Sequence, residues 1–202
     1  CGSSAGLKRP EEENGMELAG GFGLRRIPFF PALVQLRCRE TFFRAMAGVR
    51  CQAGVTVCAD GQTWKENGEL QLTEYGISGI PVLQLSRHAS RALLHHKTLS
   101  AFLDFLPDLT ETEWKDMLLA RRKEIGFETM EQFWTGTVHK KIASVILKLN
   151  CISFHEIARN VTNQKLLSAG NLLKHFPVTV TGVNSFTQAQ VCGGGVSLTE
   201  VT

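Results

Sequence analysis

The chain has 202 residues, of which 43% are hydrophobic and 20% are charged. This balance is typical of a globular chain, and it excludes wholesale disorder and collagen-like repeats. No apolar run approaches the roughly 18 residues of a membrane-spanning helix, so we expect no membrane segment. The formal net charge of +3, from 22 basic and 19 acidic residues, is small and scattered, and it predicts no nucleic-acid partner.

The six cysteines form no Cys-x-x-Cys pair and lack the density of a secreted disulfide scaffold. The sequence shows no signal peptide, so we expect a cytoplasmic, reduced protein. Because the chain opens on Cys1 rather than on Met, we also expect it to be a fragment or a truncated product.

The N-terminal half has the alternating pattern of short strands. Residues 1–24 are rich in Gly, Ser and Glu, with a short helix predicted at residues 15–20. Alternation of apolar and polar residues then predicts strands, joined in one case by a hairpin turn at Asp60-Gly61. The predicted strands are Pro31–Cys38, Val55–Ala59, Gln62–Lys65 and Glu69–Glu74. Short strands separated by turns indicate a small barrel or sandwich.

Helical periodicity replaces this pattern in the second half. We predict a helix from Ile80 to Leu93, and helical structure throughout Thr98–Phe176. Thr110–Glu113 and Ser153–Glu156 have the spacing of capping boxes, which mark helix starts. The basic clusters Arg121–Lys123 and Lys140–Lys141 alternate with glutamates, a pattern typical of solvated helix faces.

Strand periodicity returns after the helices, in Val178–Gly182, in Gln190–Val196 and around Ser197–Val201. The predicted fold class is therefore α+β: a small β-barrel-like subdomain with an inserted helical subdomain. The barrel-like part comprises residues 25–96 and 177–202, and the helical part comprises residues 97–176.

Few residues stand out as chemically active. The six histidines include no metal-binding spacing, because the adjacent His95 and His96 cannot share an ion as an i, i+4 pair can. Cys192 precedes three glycines, whose backbone N–H groups could lower a thiol pKa, but no His or Asp partner is identifiable. The run Gly193–Gly195 indicates either a tight turn or bulge, or main chain on which a flat ligand or a phosphate packs. The turn at Gly76–Gly79 leaves the same two alternatives open.

Two long segments resemble a known family. Gly68–Arg87 and Ala189–Val196 resemble signatures of the BaiN-like flavoproteins, also described as aminoacetone-oxidase-like NAD(P)/FAD-dependent oxidoreductases. Pro31–Leu36 is similar to that family's entry into its first insert strand. The resemblance implies a Rossmann-type FAD domain interrupted by an insert with a barrel and a helical piece. Residues 1–24 would then be a remnant of the FAD domain, and residues from about 189 to 202 would return to it. The chain has no Gly-x-Gly-x-x-Gly turn for the FAD pyrophosphate.

The resemblance also implies site residues. The family's Gly-Gly-Val, expected against the isoalloxazine ring, matches Gly194, Gly195 and Val196, with Cys192 beside it. Gly2 and Ser3 match a Gly-Gly pair that the family is expected to have near the flavin. Thr73, Tyr75 and Ser78 match residues of a motif in the family's insert, and they are candidates for the substrate side of the site. No residue is identifiable as catalytic acid or base, and no metal is expected.

The sequence favours one function and leaves a second open. The favoured function is the substrate-side portion of an FAD-dependent oxidoreductase, which passes hydride or electrons between a reduced nicotinamide, NAD(P)H, and a small organic substrate. This portion would be inactive alone and would not retain FAD; its partners would be the substrate and the rest of the FAD domain. The alternative is a non-catalytic binding module whose helical subdomain docks a protein or nucleic-acid partner.

Overall fold

A computed structural model of the protein describes Ala5, residues 15–95 and residues 97–200. Eight strands are present in this part of the chain: β1 (Arg26–Ala32), β2 (Leu36–Cys38), β3 (Arg50–Ala59), β4 (Gln62–Thr73), β5 (Gly76–Gly79), β6 (Leu99–Asp104), β7 (Phe176–Val183) and β8 (Val191–Val196). The α-helices there are α1 (Gly15–Gly21), α2 (Phe43–Met46), α3 (Ile80–Leu94), α4 (Glu111–Ile125), α5 (Met130–Trp134), α6 (Lys140–Leu149) and α7 (Asn163–Lys174).

Six of the strands close into a barrel in the order β2-β5-β4-β3-β6-β7. Every neighbouring pair is antiparallel. Alternate residues of these strands point inward and are buried, as a closed sheet with a period of two residues requires. They include Val55, Val57, Leu70, Leu72, Leu99, Ala101, Leu103, Val178 and Val180. The predicted α+β class with a small barrel is therefore confirmed.

The hairpin between β3 and β4 has the predicted turn. Asp60 and Gly61 have φ angles of 52° and 76°. Left-handed conformations at both central residues match the right-handed twist of the two strands. The strands predicted at Gln62–Lys65 and Glu69–Glu74 are parts of the single strand β4, which pairs with β3 along ten residue positions.

Helix α3 connects two barrel strands, β5 and β6. Its bounds agree with the predicted helix, and Pro81 lies in its first turn. It starts directly after Gly79, whose φ is 102° and where a Cβ atom would lie 2.2 Å from the Glu69 carbonyl oxygen. A side chain is therefore excluded at this turn by a close backbone approach. The helix packs against β4, β1 and β3.

Helices α4 to α7 lie between β6 and β7 in the chain, as expected for an inserted helical subdomain. The Thr110–Glu113 capping box is confirmed at the start of α4, and α5 begins with a second box, Thr129–Gln132. An ion pair joins the end of α7 to the barrel, because Lys174 Nζ donates to Asp104 Oδ2 at 2.7 Å. The division of the chain at residues 97 and 176 remains a prediction.

Two expectations about strands are wrong. The segment Pro31–Cys38 is not one strand, because Leu33 has a φ of 50° and breaks it into the end of β1 and β2. The strand expected around Ser197–Val201 is replaced by a 3-10 helix at Leu198–Glu200. Ser197 N donates to Arg25 O, one residue before β1 starts, and the 3-10 helix follows directly.

Two expectations about helices are also wrong. Leu99–Asp104 is strand β6 rather than helix, because closing the barrel requires a strand between β3 and β7. Ser153–Glu156 starts no helix. Instead, the carbonyl groups of Phe154 and Glu156 accept from Glu131 N and Met130 N at the start of α5. A 3-10 helix, Ala158–Asn160, follows.

No α-helix in residues 15–95 and 97–200 is both long and apolar enough to cross a membrane. Gly2 and Ser3 lie outside the described residues.

Candidate functional site

The remaining two strands, β1 and β8, pair as a separate two-stranded ribbon. They are antiparallel, with Arg26 opposite Val196 and Ala32 opposite Val191, and the register shifts between Ile27 and Phe30. The chain therefore enters and leaves the barrel side by side. Four of the candidate cofactor-binding residues lie together on this ribbon, all on β8: Cys192, Gly194, Gly195 and Val196.

Contacts within the chain explain two of the three glycines on β8. A Cβ at Gly193 would lie 2.1 Å from Cζ of the Phe30 ring. At Gly194, where φ is +100°, it would lie 2.4 Å from the Pro28 carbonyl oxygen. Close packing against β1 is thus sufficient to explain glycine at both positions, without a bound ligand. Gly195 has a φ of +121°, but its Cβ position is open, with only Phe29 Cε1 at 4.0 Å.

Exposed apolar side chains concentrate on the ribbon and on the two segments beside it. Helix α1 packs against β1 and β8, and the 3-10 helix at Leu198 follows β8 directly. Five large apolar residues here are exposed, and we call them the ribbon apolar surface: Leu18, Phe22, Ile27, Val191 and Leu198. Phe22 is 75% exposed and Leu198 is 86% exposed. Large exposed apolar patches are typical of interaction surfaces, so these residues are a candidate contact surface.

The ribbon is joined to the barrel by two linkers. In the first, Val34 is fully buried, and its N–H donates to Ser86 Oγ of α3 at 3.2 Å. The Ser86 hydroxyl in turn donates to Leu83 O at 2.6 Å. The second linker is paired with the first, since Gln190 N donates to Leu33 O at 3.3 Å. These bonds fix the ribbon relative to α3.

A polar cluster lies where the linkers reach the barrel. Asn184 is only 7% exposed. Its Nδ2 has three acceptors within reach for its two hydrogens: Gln188 Oε1 at 2.6 Å, Tyr75 Oη at 3.1 Å and Gln35 Oε1 at 3.3 Å. The guanidinium of Arg37 lies over the Tyr75 ring, 5.9 Å from its centroid. With Asn184 as donor, the phenol hydrogen of Tyr75 is free to point away from the cluster.

The other two substrate-side candidates have different surroundings. Thr73 Oγ1 donates to Gly76 O at 3.1 Å, which holds the turn between β4 and β5. Ser78 is 7% exposed and lies in the barrel wall on β5. Of the three candidates, Tyr75 has the clearest opportunity to contact a ligand. Sequence reasoning missed Asn184 and Gln188, because no local pattern indicates a contact between residues 109 positions apart.

The buried thiols are unsuited to nucleophilic chemistry. Burial, together with the nearby charge of Glu40, raises the pKa of Cys38 to about 12. Burial also raises the pKa of Cys51 to about 11. Both thiols therefore stay protonated at neutral pH. Within the described residues, no three His, Cys, Asp or Glu side chains are close enough to hold a metal ion.

The basic clusters that were predicted to lie on solvated helix faces make several hydrogen bonds within the chain. Arg121 donates to the Phe133 and Thr135 carbonyls. Arg122 donates to Asn163 Oδ1 and to the Arg159 and Val161 carbonyls. Likewise, Lys140 pairs with Glu131, and Lys141 Nζ donates to the Ala47 carbonyl at 2.8 Å. Arg121 and Arg122 are half-buried and bind carbonyl groups, so they are not solvated as predicted. Lys123, Lys140 and Lys141 are exposed, as predicted.

The ribbon residues fit one part of the FAD that the resemblance implies. At Gly195 the Cβ position is open, so a flat ring could approach the main chain there. The sequence has no glycine-rich phosphate turn of the Rossmann type, so the described residues of the ribbon bear on the ring of FAD and not on its pyrophosphate. The assignment of Cys192, Gly194, Gly195 and Val196 to flavin contact stays a prediction.

Comparisons with known proteins agree with the fold and with the resemblance. Residues 30–191 match the family described as HI0933-like protein barrel and H2TH domain. The chain is 34% identical over 202 residues to a 3-dehydro-bile acid delta(4,6)-reductase of Clostridium scindens, covering 100% of this chain and 49% of that protein. It is 24% identical over 184 residues to a ribosomal RNA dihydrouridine synthase of Haemophilus influenzae, covering 90% of this chain and 43% of that protein.

The chain thus spans about half the length of the curated relatives that it matches. The match includes the barrel, the helices between β6 and β7, and the start of β8. The resemblance to the BaiN-like flavoproteins is confirmed. The chain belongs to the HI0933-like family and carries its barrel and H2TH domain.

Proposed function

We propose that this chain is the substrate-side portion of an FAD-dependent oxidoreductase and that it is inactive on its own. In that enzyme, hydride passes from a reduced nicotinamide to an organic substrate. The observation that carries the proposal is the β1–β8 ribbon, where the chain enters and leaves the barrel side by side. Its exposed apolar residues and its open main chain at Gly195 suit contact with a flavin domain.

FAD would supply hydride transfer when bound, and the residues of this chain would shape the site around it. The ribbon apolar surface would exclude water from the contact with the flavin domain. Tyr75, held by Asn184, would present its phenol hydrogen to the substrate, and the bonds of Ser86 would keep the ribbon in place. Cytoplasmic location stays a prediction.

The names of the two relatives suggest a common substrate chemistry. One reduces a 3-dehydro-bile acid at its delta(4,6) double bonds, and the other makes dihydrouridine in ribosomal RNA. In both cases a carbon–carbon double bond conjugated with a carbonyl becomes saturated. The substrate proposed here is therefore an organic molecule with a double bond of this kind, and a hydride and a proton add across that bond.

The first experiment tests whether the chain is incomplete. The purified 202-residue chain is mixed with FAD and passed through a gel-filtration column. We expect no flavin absorbance to elute with the protein, because the sequence has no phosphate-binding turn. A chain that stays yellow through the column would overturn the claim of incompleteness.

The second experiment tests the ribbon as the contact surface. Phe22→Glu is introduced into a longer polypeptide that contains this chain and a flavin domain. The control is Phe127→Glu, because Phe127 is also largely exposed (61%) but lies after α4 in the helical subdomain. We expect the Phe22 variant to lose bound flavin while the control retains it. Equal flavin content in the two variants would contradict docking through the ribbon.

The alternative function, a non-catalytic docking module, depended on the basic clusters of the helical subdomain. Internal hydrogen bonds occupy the side chains of Arg121, Arg122 and Lys141. A salt titration of nucleic-acid binding separates the alternatives, since a docking module would show a steep salt dependence. We expect no binding through these clusters.

A further inference from the structure

A cleft of about 660 Å³ lies between the β3–β4 hairpin and the C-terminal half of α3. The polar and aromatic residues that line it are Gln62, Trp64, His88, Arg91, His95 and Lys97. The volume falls within the range of small-molecule sites, roughly 300–1,000 Å³. None of its lining residues belongs to the ribbon or to the polar cluster at Tyr75.

Two aromatic rings form one wall of the cleft. The rings of Trp64 and His88 are stacked, with centroids 4.5 Å apart and planes inclined by 15°. Trp64 is half-buried, so part of its indole faces the cleft. A flat aromatic ligand can therefore extend the stack.

His88 is held as a neutral ring. Arg87 Nε donates to His88 Nε2 at 3.1 Å, which requires this nitrogen to be unprotonated. Burial lowers the pKa of His88, the charges of Arg87 and Arg91 lower it further, and Glu66 opposes them. His88 thus serves as a stacking surface, and its surroundings are cationic.

Cationic groups lie next to the stack. Arg91 follows His88 by three residues on α3, and no hydrogen bond or ion pair engages its guanidinium within the described residues. Lys97 Nζ is paired with Asp60 at 2.5 Å, so its charge is partly compensated. Arg91 is therefore the lining cation that has no partner among the described residues, which suits a single phosphate group.

We propose that this cleft binds a nucleotide, with its base against the Trp64–His88 stack and its phosphate at Arg91. The side-chain amide of Gln62 offers both a donor and an acceptor to the edge of the base. Free nucleotides and nucleotides within a single RNA strand share this chemistry. The proposal is independent of the flavin proposal, because the two sites share no residue.

The test titrates the chain with AMP, with inorganic phosphate and with a single-stranded RNA oligonucleotide. Intrinsic fluorescence reports on stacking, since Trp64 is half-buried while Trp114 and Trp134 are only 5% and 2% exposed. We expect AMP to quench Trp64 and inorganic phosphate to leave it unchanged. Tighter binding of the oligonucleotide, with a steeper salt dependence, would assign the nucleotide to an RNA strand; equal affinities would assign it to a free nucleotide.

Two variants identify the phosphate contact. Arg91→Gln is expected to weaken AMP binding about tenfold, the typical loss for one charge-assisted hydrogen bond. Arg44→Gln, at an exposed arginine of α2, is the matched control and should leave the affinity unchanged. A bound phosphate should also raise the pKa of His88, which proton NMR of the wild-type chain can follow.

Three results would overturn the proposal. The first is an AMP titration in which Trp64 fluorescence is not quenched at any concentration. The second is equal affinity for inorganic phosphate and AMP, which would remove the role of the base. The third is an equal effect of Arg91→Gln and Arg44→Gln.

Discussion

The barrel and the ribbon are both antiparallel sheets, and they differ in closure. Each barrel strand has a neighbour on both sides, whereas β1 and β8 pair only with each other in the described part of the chain. The barrel buries its apolar side chains completely at positions such as Val55 and Leu72, while Ile27 and Val191 of the ribbon are 42% and 43% exposed. A closed sheet satisfies its own edges, but an open ribbon with apolar side chains is suited to contact with another surface. This difference assigns stability to the barrel and contact to the ribbon.

The largest effect on stability is expected in the cluster of aromatic rings around Phe176, at the start of β7. Phe176 of β7 is fully buried, and its ring centroid lies 5.1 Å from that of Phe42 and 5.6 Å from that of Phe105. Phe176→Ala should lower the free energy of unfolding by about 4 kcal/mol, measured by urea denaturation. The control is Phe102→Ala, at a side chain 39% exposed on β6, with an expected loss below about 1.5 kcal/mol. Similar losses in both variants would contradict this view of the core.

The second prediction concerns the ion pair between the barrel and the helical subdomain. Asp104 accepts from Lys174 Nζ, which also donates to the Leu106 and Leu109 carbonyls. Asp104→Asn leaves this buried ammonium without its counter-charge and should cost about 3 kcal/mol of unfolding free energy. Glu69→Gln, which removes an exposed pair with Arg50, is the control and should cost less than about 1 kcal/mol.

A double variant shows whether the charge itself is responsible. Asp104→Asn combined with Lys174→Met removes both members of the pair, so no buried charge is left without a partner. We expect the double variant to be more stable than Asp104→Asn alone. A double variant that loses the sum of the two single losses would show that the two charges do not interact.

Sequence patterns predicted the parts of the fold that rest on local interactions. The Asp60-Gly61 turn, helix α3 and the Thr110–Glu113 capping box each depend on residues within a few positions. Strand β6 was missed because its role is set by closure of the barrel with β3 and β7, which lie far away in the chain. Local periodicity carries no information about such pairing.

The candidate site shows the same limit. The glycine run on β8 could be recognised from sequence, but its reasons could not. They are the Phe30 ring and the Pro28 carbonyl on β1, more than 160 positions away, and these appear only when the strands pair. The Asn184–Tyr75 contact and the bonds of Arg122 depend equally on long-range packing. In sequence these side chains are indistinguishable from solvated polar residues.

The third effect concerns the anchor between the ribbon and α3. Ser86 is fully buried and bonds to Val34 N, so Ser86→Ala leaves a buried N–H without a partner. We expect a loss of about 1–2 kcal/mol and faster hydrogen exchange in β1 and β8. Ser90 is the matched control, because it is buried on the same helix and its Oγ has no partner among the described residues. Ser90→Ala should be neutral or stabilising.

A smaller effect is expected at the start of α4. Thr110→Ala removes the cap and should cost about 1 kcal/mol, whereas Thr112→Ala within the first turn should cost less.

Hydrogen bonds from Thr110 N and Oγ1 lower the pKa of Glu113. A lowered folded-state pKa gives stability that is present above the unfolded pKa, near 4.3, and that is lost as pH falls through the folded value. Glu113→Gln should therefore flatten the acid limb of the stability curve, measured by urea denaturation between neutral and acidic pH.

The smallest effect on global stability should come from the ribbon itself. Gly194 has a φ of +100°, and an alanine Cβ there would lie 2.4 Å from the Pro28 carbonyl, so Gly194→Ala must disturb the pairing of β1 and β8. Gly182→Ala on β7 is the control, because nothing lies within 4 Å of its Cβ position. We expect the ribbon, an open two-stranded sheet, to open without unfolding the closed barrel. Gly194→Ala should then change the global unfolding free energy by less than about 0.5 kcal/mol while ribbon amides exchange much faster. If Gly194→Ala instead destabilised the barrel as much as Phe176→Ala does, the two sheets would form one cooperative unit, and stability could no longer be assigned to the barrel alone.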